Sequence, residues 1–147
     1  MPQREPAVWT FDQISEGQDC GFEVSVSDRD IESFGGLTGD VNPLHMHENF
    51  AKTRGFDRRV IHGAFLVGLV SRLLGMNLPG LNCLIHDFRI KFPAPAYSGD
   101  RLRVRGIVDQ RSEAAGAIII RVEITESSRG RVVASGKVTV GFTQERS

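Results

Sequence analysis

A chain of 147 residues with 18 Lys plus Arg against 18 Asp plus Glu has zero formal net charge, and neither sign collects into a long block. Without a basic stripe, electrostatics give no footing to a nucleic-acid partner. The longest apolar stretch, Gly63 to Val70, stops at Ser71-Arg72, far short of the ~20 residues that a membrane-spanning helix needs, and the length suits one domain, taken as 1–147.

The opening Met1-Pro-Gln-Arg-Glu-Pro lacks the charged region, apolar run and small-residue cleavage site of a signal peptide, so a cytoplasmic protein is expected. Cys20 and Cys83 fall in no metal-ligand spacing and are expected as buried free thiols. Ser27-Asp-Arg-Asp sets a hydroxyl three residues before a carboxylate, a pattern that caps a helix through Ile31 and Phe34. Gly35-Gly36 then allow that helix to end. At Asn42-Pro43 a turn begins, because proline fixes its own φ and pushes the preceding residue out of the helical region. A short helix from Pro43 or Glu48 to Thr53 follows. From His62 to Gly75, Ala64, Phe65, Leu66, Val67, Leu69, Val70, Leu73 and Leu74 cover nearly the whole circumference of a helix, which must then be buried on most sides.

After Pro79-Gly80 the pattern changes to β-rich runs bounded by turn residues: Cys83 to Phe92, Arg101 to Gln110, Ala117 to Glu126 and Arg131 to Phe142. Arg101-Leu-Arg-Val-Arg and Arg121-Val-Glu-Ile-Thr alternate charged and apolar residues, as antiparallel strands with one wet face do. Ala117-Ile-Ile-Ile does not alternate, which suits cover on both faces. One greasy helix followed by four strands indicates an α+β domain whose sheet curls around that helix.

Chemistry concentrates in Phe34-Gly-Gly-Leu-Thr-Gly-Asp-Val-Asn-Pro-Leu-His45, where a carboxylate and an imidazole flank a stiff Asn-Pro turn. A water bridging Asp40 and His45 can lose a proton as its oxygen attacks a polarised carbon, help worth ~10² to 10⁴-fold. Taken alone, the pair reads more readily as an Asp capping a turn and a His bonded to a backbone carbonyl.

The segment resembles the MaoC-like, R-specific enoyl-CoA hydratase family, whose hydratase 2 motif runs aromatic, two residues, aliphatic, small, Gly, Asp, any, Asn, Pro, aliphatic, His. Every position matches from Phe34 to His45. The likeness continues through Val60-Ile-His-Gly-Ala-Phe65 and from Phe92-Pro to Ser98-Gly-Asp100, and covers roughly Val24 to Phe142. What the resemblance implies is a hot-dog fold, an antiparallel β-sheet wrapped around one long buried α-helix, with protomers paired as a homodimer. It implies an acyl-CoA or acyl-carrier-protein thioester substrate and no cofactor. It also implies that Asp40 and His45 are the catalytic pair and that the Gly63 backbone N–H is the oxyanion donor. Helix-start N–H groups lack intrahelical partners, so developing negative charge is stabilised there.

Asn42 is expected to hold the turn or the water, and His62 to order the loop before Gly63 or contact substrate. Leu66, Leu69 and Val70 are available to line an acyl tunnel, though a buried helix is ordinarily core. Where many relatives carry an acidic residue two after the motif histidine, this chain has His47. His45 and His47 alone fall short of a zinc ligand set, so no metal is expected and His47 is read as a surface or interface residue at a helix start, with altered substrate contacts as the alternative. His86 is expected to be structural or exposed, and Asp100 to be a turn aspartate. Arg58, Arg59, Arg89 and Lys91 are candidates for the phosphates of coenzyme A, against the ordinary reading of solvated charge. Two other functions compete with reversible hydration: thioester hydrolysis on the same fold, and a noncatalytic acyl-binding or partner subunit.

Overall fold

The computed structural model describes residues 4–146; Met1–Gln3 and Ser147, the ends of the expected domain, lie outside the described residues. A 3-10 turn at Phe11–Gln13 leads into β1 (Asp19–Ser25), then α1 (Asp28–Thr38), α2 (Pro43–Met46), α3 (Glu48–Thr53) and α4 (Gly63–Met76). Four further strands follow: β2 (Cys83–Lys91), β3 (Arg101–Ser112), β4 (Ala117–Glu126) and β5 (Arg131–Phe142). They form one antiparallel sheet in the order β1-β3-β4-β5-β2.

The sheet's inner face follows from strand periodicity. Along β3, Leu102, Val104 and Val108 turn inward, while Arg101, Arg103 and Arg105 face water. Ile118, Ile120, Val122 and Ile124 of β4 and Ala134, Val138 and Val140 of β5 complete the apolar floor. Ile118 and Ile120 are fully buried and Ile119 between them is partly buried, as the unbroken isoleucine run led one to expect. Across this floor lies α4, with Leu66, Leu69, Val70, Leu73 and Leu74 pressed into it. Each such side chain contributes about 1.5–3 kcal/mol.

The structure corrects three expectations. First, α4 is not enclosed on most sides: Ala64, Gly68, Ser71 and Arg72 are exposed in the single protomer. The apparent greasy circumference included short side chains, and five strands curl around only one face of the helix. Second, the sheet has a fifth strand, β1, beyond the four expected. In β1, Cys20, Phe22 and Val24 alternate with polar residues or glycine, and all three are partly buried against the core. Third, α1 does not end at Gly35-Gly36. It continues to Thr38 and stops at Gly39, whose φ of 81° lets the backbone N–H return to the Gly35 carbonyl. Gly35 serves packing instead, since a Cβ there would lie 2.4 Å from Met46 Cε and 3.1 Å from the Asp40 carbonyl oxygen. The missing side chain lets the loop between α1 and α2 lie directly on the helix.

The start of α1 is as the sequence indicates. Asp30 N–H donates to Ser27 Oγ at 3.2 Å, and Ser27 N–H donates to Asp30 Oδ2 at 2.9 Å. Among the described residues no helix is long and apolar enough to cross a membrane.

Candidate active site

The loop between α1 and α2 is shaped by local hydrogen bonds. Thr38 Oγ1 donates to the Phe34 carbonyl at 2.8 Å and accepts from Asp40 N–H at 3.3 Å. Asp40 Oδ1 accepts from Asn42 N–H at 3.3 Å, and Asn42 Oδ1 accepts from Leu44 N–H at 3.0 Å, capping α2 with Pro43 as its first residue. Of the two roles expected for Asn42, its oxygen fills the turn-holding one.

His45 is aimed by the segment before α4. Its Nδ1 lies 2.7 Å from the Val60 carbonyl oxygen, which only accepts, so Nδ1 carries a proton and in the neutral ring Nε2 is the atom with the free lone pair. Val60 N–H in turn donates to the Leu44 carbonyl at 3.2 Å. Arg59, almost wholly buried, donates from Nε to the His45 carbonyl at 2.9 Å and reaches Asp28 and Glu32 with Nη1 at 3.2 Å each. A backbone stitch and a guanidinium thus fix the imidazole to the scaffold. Asp28 also accepts a hydrogen bond from Ser98. That bond first, and Arg59 with it, hold the Asp28 carboxyl below its ordinary range against the opposing effect of partial burial.

One carboxylate oxygen of Asp40 and one ring nitrogen each of His45 and His62 lie within 4.8 Å of one another. Two hydrogen bonds of about 2.8 Å spanning a single water reach that far, so one water can touch both Asp40 and His45. Asp40 is exposed and His45 half-buried. Next to His45 a cleft of about 390 Å³ is lined by His45, Gly63, Leu66, Phe56, Phe92 and Pro93 among others, and Asp40 is not among its lining residues. Gly63 opens α4, and its N–H has no acceptor among the described residues. The Phe92 ring sits directly over it: a Cβ on Gly63 would lie 3.3 Å from Phe92 Cζ. Larger hollows of about 420 and 580 Å³ elsewhere on the surface contain no imidazole.

His62, expected to order its loop or contact substrate, is only 1% exposed. Its ring stacks on that of His45, with centroids 3.8 Å apart and planes 25° from parallel. Asp40, His45 and His62 have the donor types of a metal site. Stacked rings, however, send their in-plane lone pairs nearly side by side, and these do not converge on one ion ~2.0–2.1 Å from each nitrogen. His47 stands exposed at the start of α3, makes no side-chain capping bond there and stays outside the cluster. His86 is exposed at the β2 irregularity, packed over Gly141.

The basic candidates for coenzyme A divide. Arg58 donates to Asp100 at 2.8 Å, and Asp100, buried, also accepts from Tyr97 N–H at 2.8 Å, which makes it the turn anchor expected. Arg59 is committed internally, as described. Arg89 pairs with Asp87 at 3.1 Å on the surface, and Lys91 is exposed next to Phe92 at the cleft. Leu66 lines the cleft, whereas Leu69 and Val70 are core. Sequence reasoning missed the roles of Arg59 and Phe92; Arg59 flanks one recognised segment and Phe92 opens another, but only the fold shows what they touch.

Comparison with known proteins agrees with this architecture. The profile of the MaoC like domain matches residues 12–142. An (R)-specific enoyl-CoA hydratase of Rhodospirillum rubrum is 34% identical over 134 residues, covering 88% of this chain and 89% of the relative. A 3-hydroxybutyryl-CoA dehydratase of Methylorubrum extorquens is 31% identical over 140 residues, covering 92% and 85%. Among solved structures, the (R)-hydratase from A. caviae involved in PHA biosynthesis superposes with a TM-score of 0.84 at 27% identity, covering 88% of this chain and 98% of that one. The helix-wrapping sheet is therefore the hot-dog fold, and the chain belongs to the MaoC-like domain family.

Proposed function

We propose that this protein is a hydro-lyase that reversibly adds water to a trans-2-enoyl thioester, giving the (R)-3-hydroxyacyl thioester. The observation that carries the reading is the approach of the Asp40 carboxylate to an imidazole within 4.8 Å, beside a cleft shared by His45 and the unpaired Gly63 amide. The named activities of the relatives support it. In the hydration direction a water held between Asp40 and His45 forms the new C–O bond at the β-carbon. One member of the pair takes its proton as the C=C π electrons move toward the carbonyl. The negative charge developing on the thioester oxygen rests against the Gly63 N–H, where the helix start is electropositive. A proton then reaches the α-carbon from the same face, so the pair ends as it began. The reaction balances with water and the unsaturated thioester alone, and needs no redox or nucleotide co-reactant.

The carrier is coenzyme A or an acyl carrier protein, and the working unit is a homodimer. The unpaired edges of β1 and β2 and the open flank of α4 are surfaces that a second copy would cover. Sedimentation at twice the 16.2 kDa protomer mass is the expected result.

The decisive assay follows loss of crotonyl-CoA absorbance in the ultraviolet. Turnover is expected in the parent, with Asp40→Asn and His45→Ala each lowering it by about 10² to 10⁴-fold. Activity surviving both changes, or release of free thiol in place of hydration, would defeat the reading.

A further inference from the structure

Three features single out His62. It immediately precedes α4, whose Leu66, Leu69, Val70, Leu73 and Leu74 are buried in the core, and is itself only 1% exposed. It touches both members of the catalytic pair, with Nε2 2.9 Å from the Asp40 backbone oxygen and its ring stacked on His45. Its Nδ1 is buried without any hydrogen-bond partner. A carbonyl oxygen only accepts, so in the neutral ring the His62 proton sits on Nε2 and Nδ1 is a bare acceptor. A side chain present only to fill space would be apolar there, and an idle buried nitrogen calls for an explanation. The donor N–H and the flat ring supply one. Phe34 extends the row, its ring 4.8 Å from His62 and 5.3 Å from Phe65 of α4, so the stack is anchored to the core.

We propose that His62 is a positioning residue for the hydration reaction, locking Asp40 through its backbone carbonyl and His45 through ring stacking, with the two imidazoles held in opposite tautomers. The inference rests on the function proposed above. Asp40 lies beyond the end of α1 and is exposed, whereas His45 is fixed from the other side by Val60 and Arg59. His62 bridges these two separately held groups. Without it the carboxylate has only the Asn42 and Thr38 turn contacts to set its distance from the imidazole. Displacement of a reacting group by about 1 Å costs roughly 10²-fold in rate.

The test divides the two contacts. His62→Gln keeps a donor near the Asp40 carbonyl but no ring, His62→Phe keeps the ring but no donor, and His62→Ala has neither. With crotonyl-CoA, kcat is expected to fall about 10- to 100-fold in His62→Ala, with KM within about twofold, and to recover partly in each of the other two. Unchanged kcat in folded Gln and Phe variants overturns the proposal. So does a raised KM at constant kcat, which would make His62 a substrate contact. A second measurement needs no variant: long-range ¹H–¹⁵N spectra of the parent are expected to show His45 protonated at Nδ1 and His62 at Nε2, and matching tautomers overturn the proposal. A parent without any hydration activity would instead defeat the underlying function, an outcome separable from unchanged variants of an active parent.

Discussion

Replacement of Arg59 by alanine separates a structural clamp from a phosphate contact. The Asp28 and Glu32 side chains that Arg59 meets are 60% and 59% exposed, so both carboxylates rehydrate after its loss and the ion pairs themselves contribute little. The part-buried bond from Nε to the His45 carbonyl is different. A hydrogen bond from a charged donor contributes about 1.5–3 kcal/mol, and the buried aliphatic stem adds packing. A loss of about 2–3 kcal/mol follows, which for a chain of this size lowers the Tm by roughly 5–10 °C. Because Arg59 acts through His45, kcat should fall roughly 10-fold while KM for an acyl-CoA stays nearly unchanged. Arg59→Lys, with charge but no planar fork, should fall between parent and alanine variant. Thermal melts and initial-rate kinetics on the three proteins decide the matter. An unchanged Tm with a KM raised several-fold and strongly dependent on salt would refute the clamp and place Arg59 against phosphate.

Two further outcomes follow from the geometry. In Gly63→Ala the nearest atoms to the new methyl are those of the half-exposed Phe92 ring, at 3.3–3.5 Å, so the fold should hold while the carbonyl's approach to the amide is obstructed. Circular dichroism should match the parent, with activity down by roughly 10²-fold, the scale of losing one oxyanion donor. Burial raises both cysteine thiols from 9.0 to about 11, with the Asp19 charge adding to the effect at Cys20. Only the thiolate reacts, so at pH 8 alkylation of the native protein should run about 100-fold slower than that of the unfolded chain, and equal rates would contradict the burial.

What was legible in the sequence is what depends on neighbours along the chain. The period-two alternation of Arg101 to Val104 and the dense apolar run of α4 declare their elements because each follows its own geometry. Asp40, Asn42 and His45 are likewise readable, since a proline turn and short-range hydrogen bonds bring them together. The glycine pair in α1 misled because its reason lies in Met46, which approaches from another element. β1 escaped notice because Gly21 interrupts its few apolar residues. His47 stood next to the motif and drew attention as a second imidazole, yet the fold brings His62 to His45 instead. Arg59 reads as surface charge until α1 supplies Asp28 and Glu32 and the loop supplies a carbonyl. Long-range juxtaposition, absent from local pattern, accounts for each of these.

The strand order β1-β3-β4-β5-β2 has a consequence for synthesis. Within the sheet β2 hydrogen-bonds to β5 alone, so the second strand made must wait for the last one. About 50 residues separate the ends of β2 and β5, and at ribosomal speeds of 5–20 residues per second that delay lasts roughly 2.5–10 s. During it the nascent chain exposes Ile85, Phe88 and Ile90, which in the finished protein pack against the core. A message truncated before Arg131 would leave that ribbon permanently without its mate, a substrate for chaperones or for pairing with a neighbouring polypeptide.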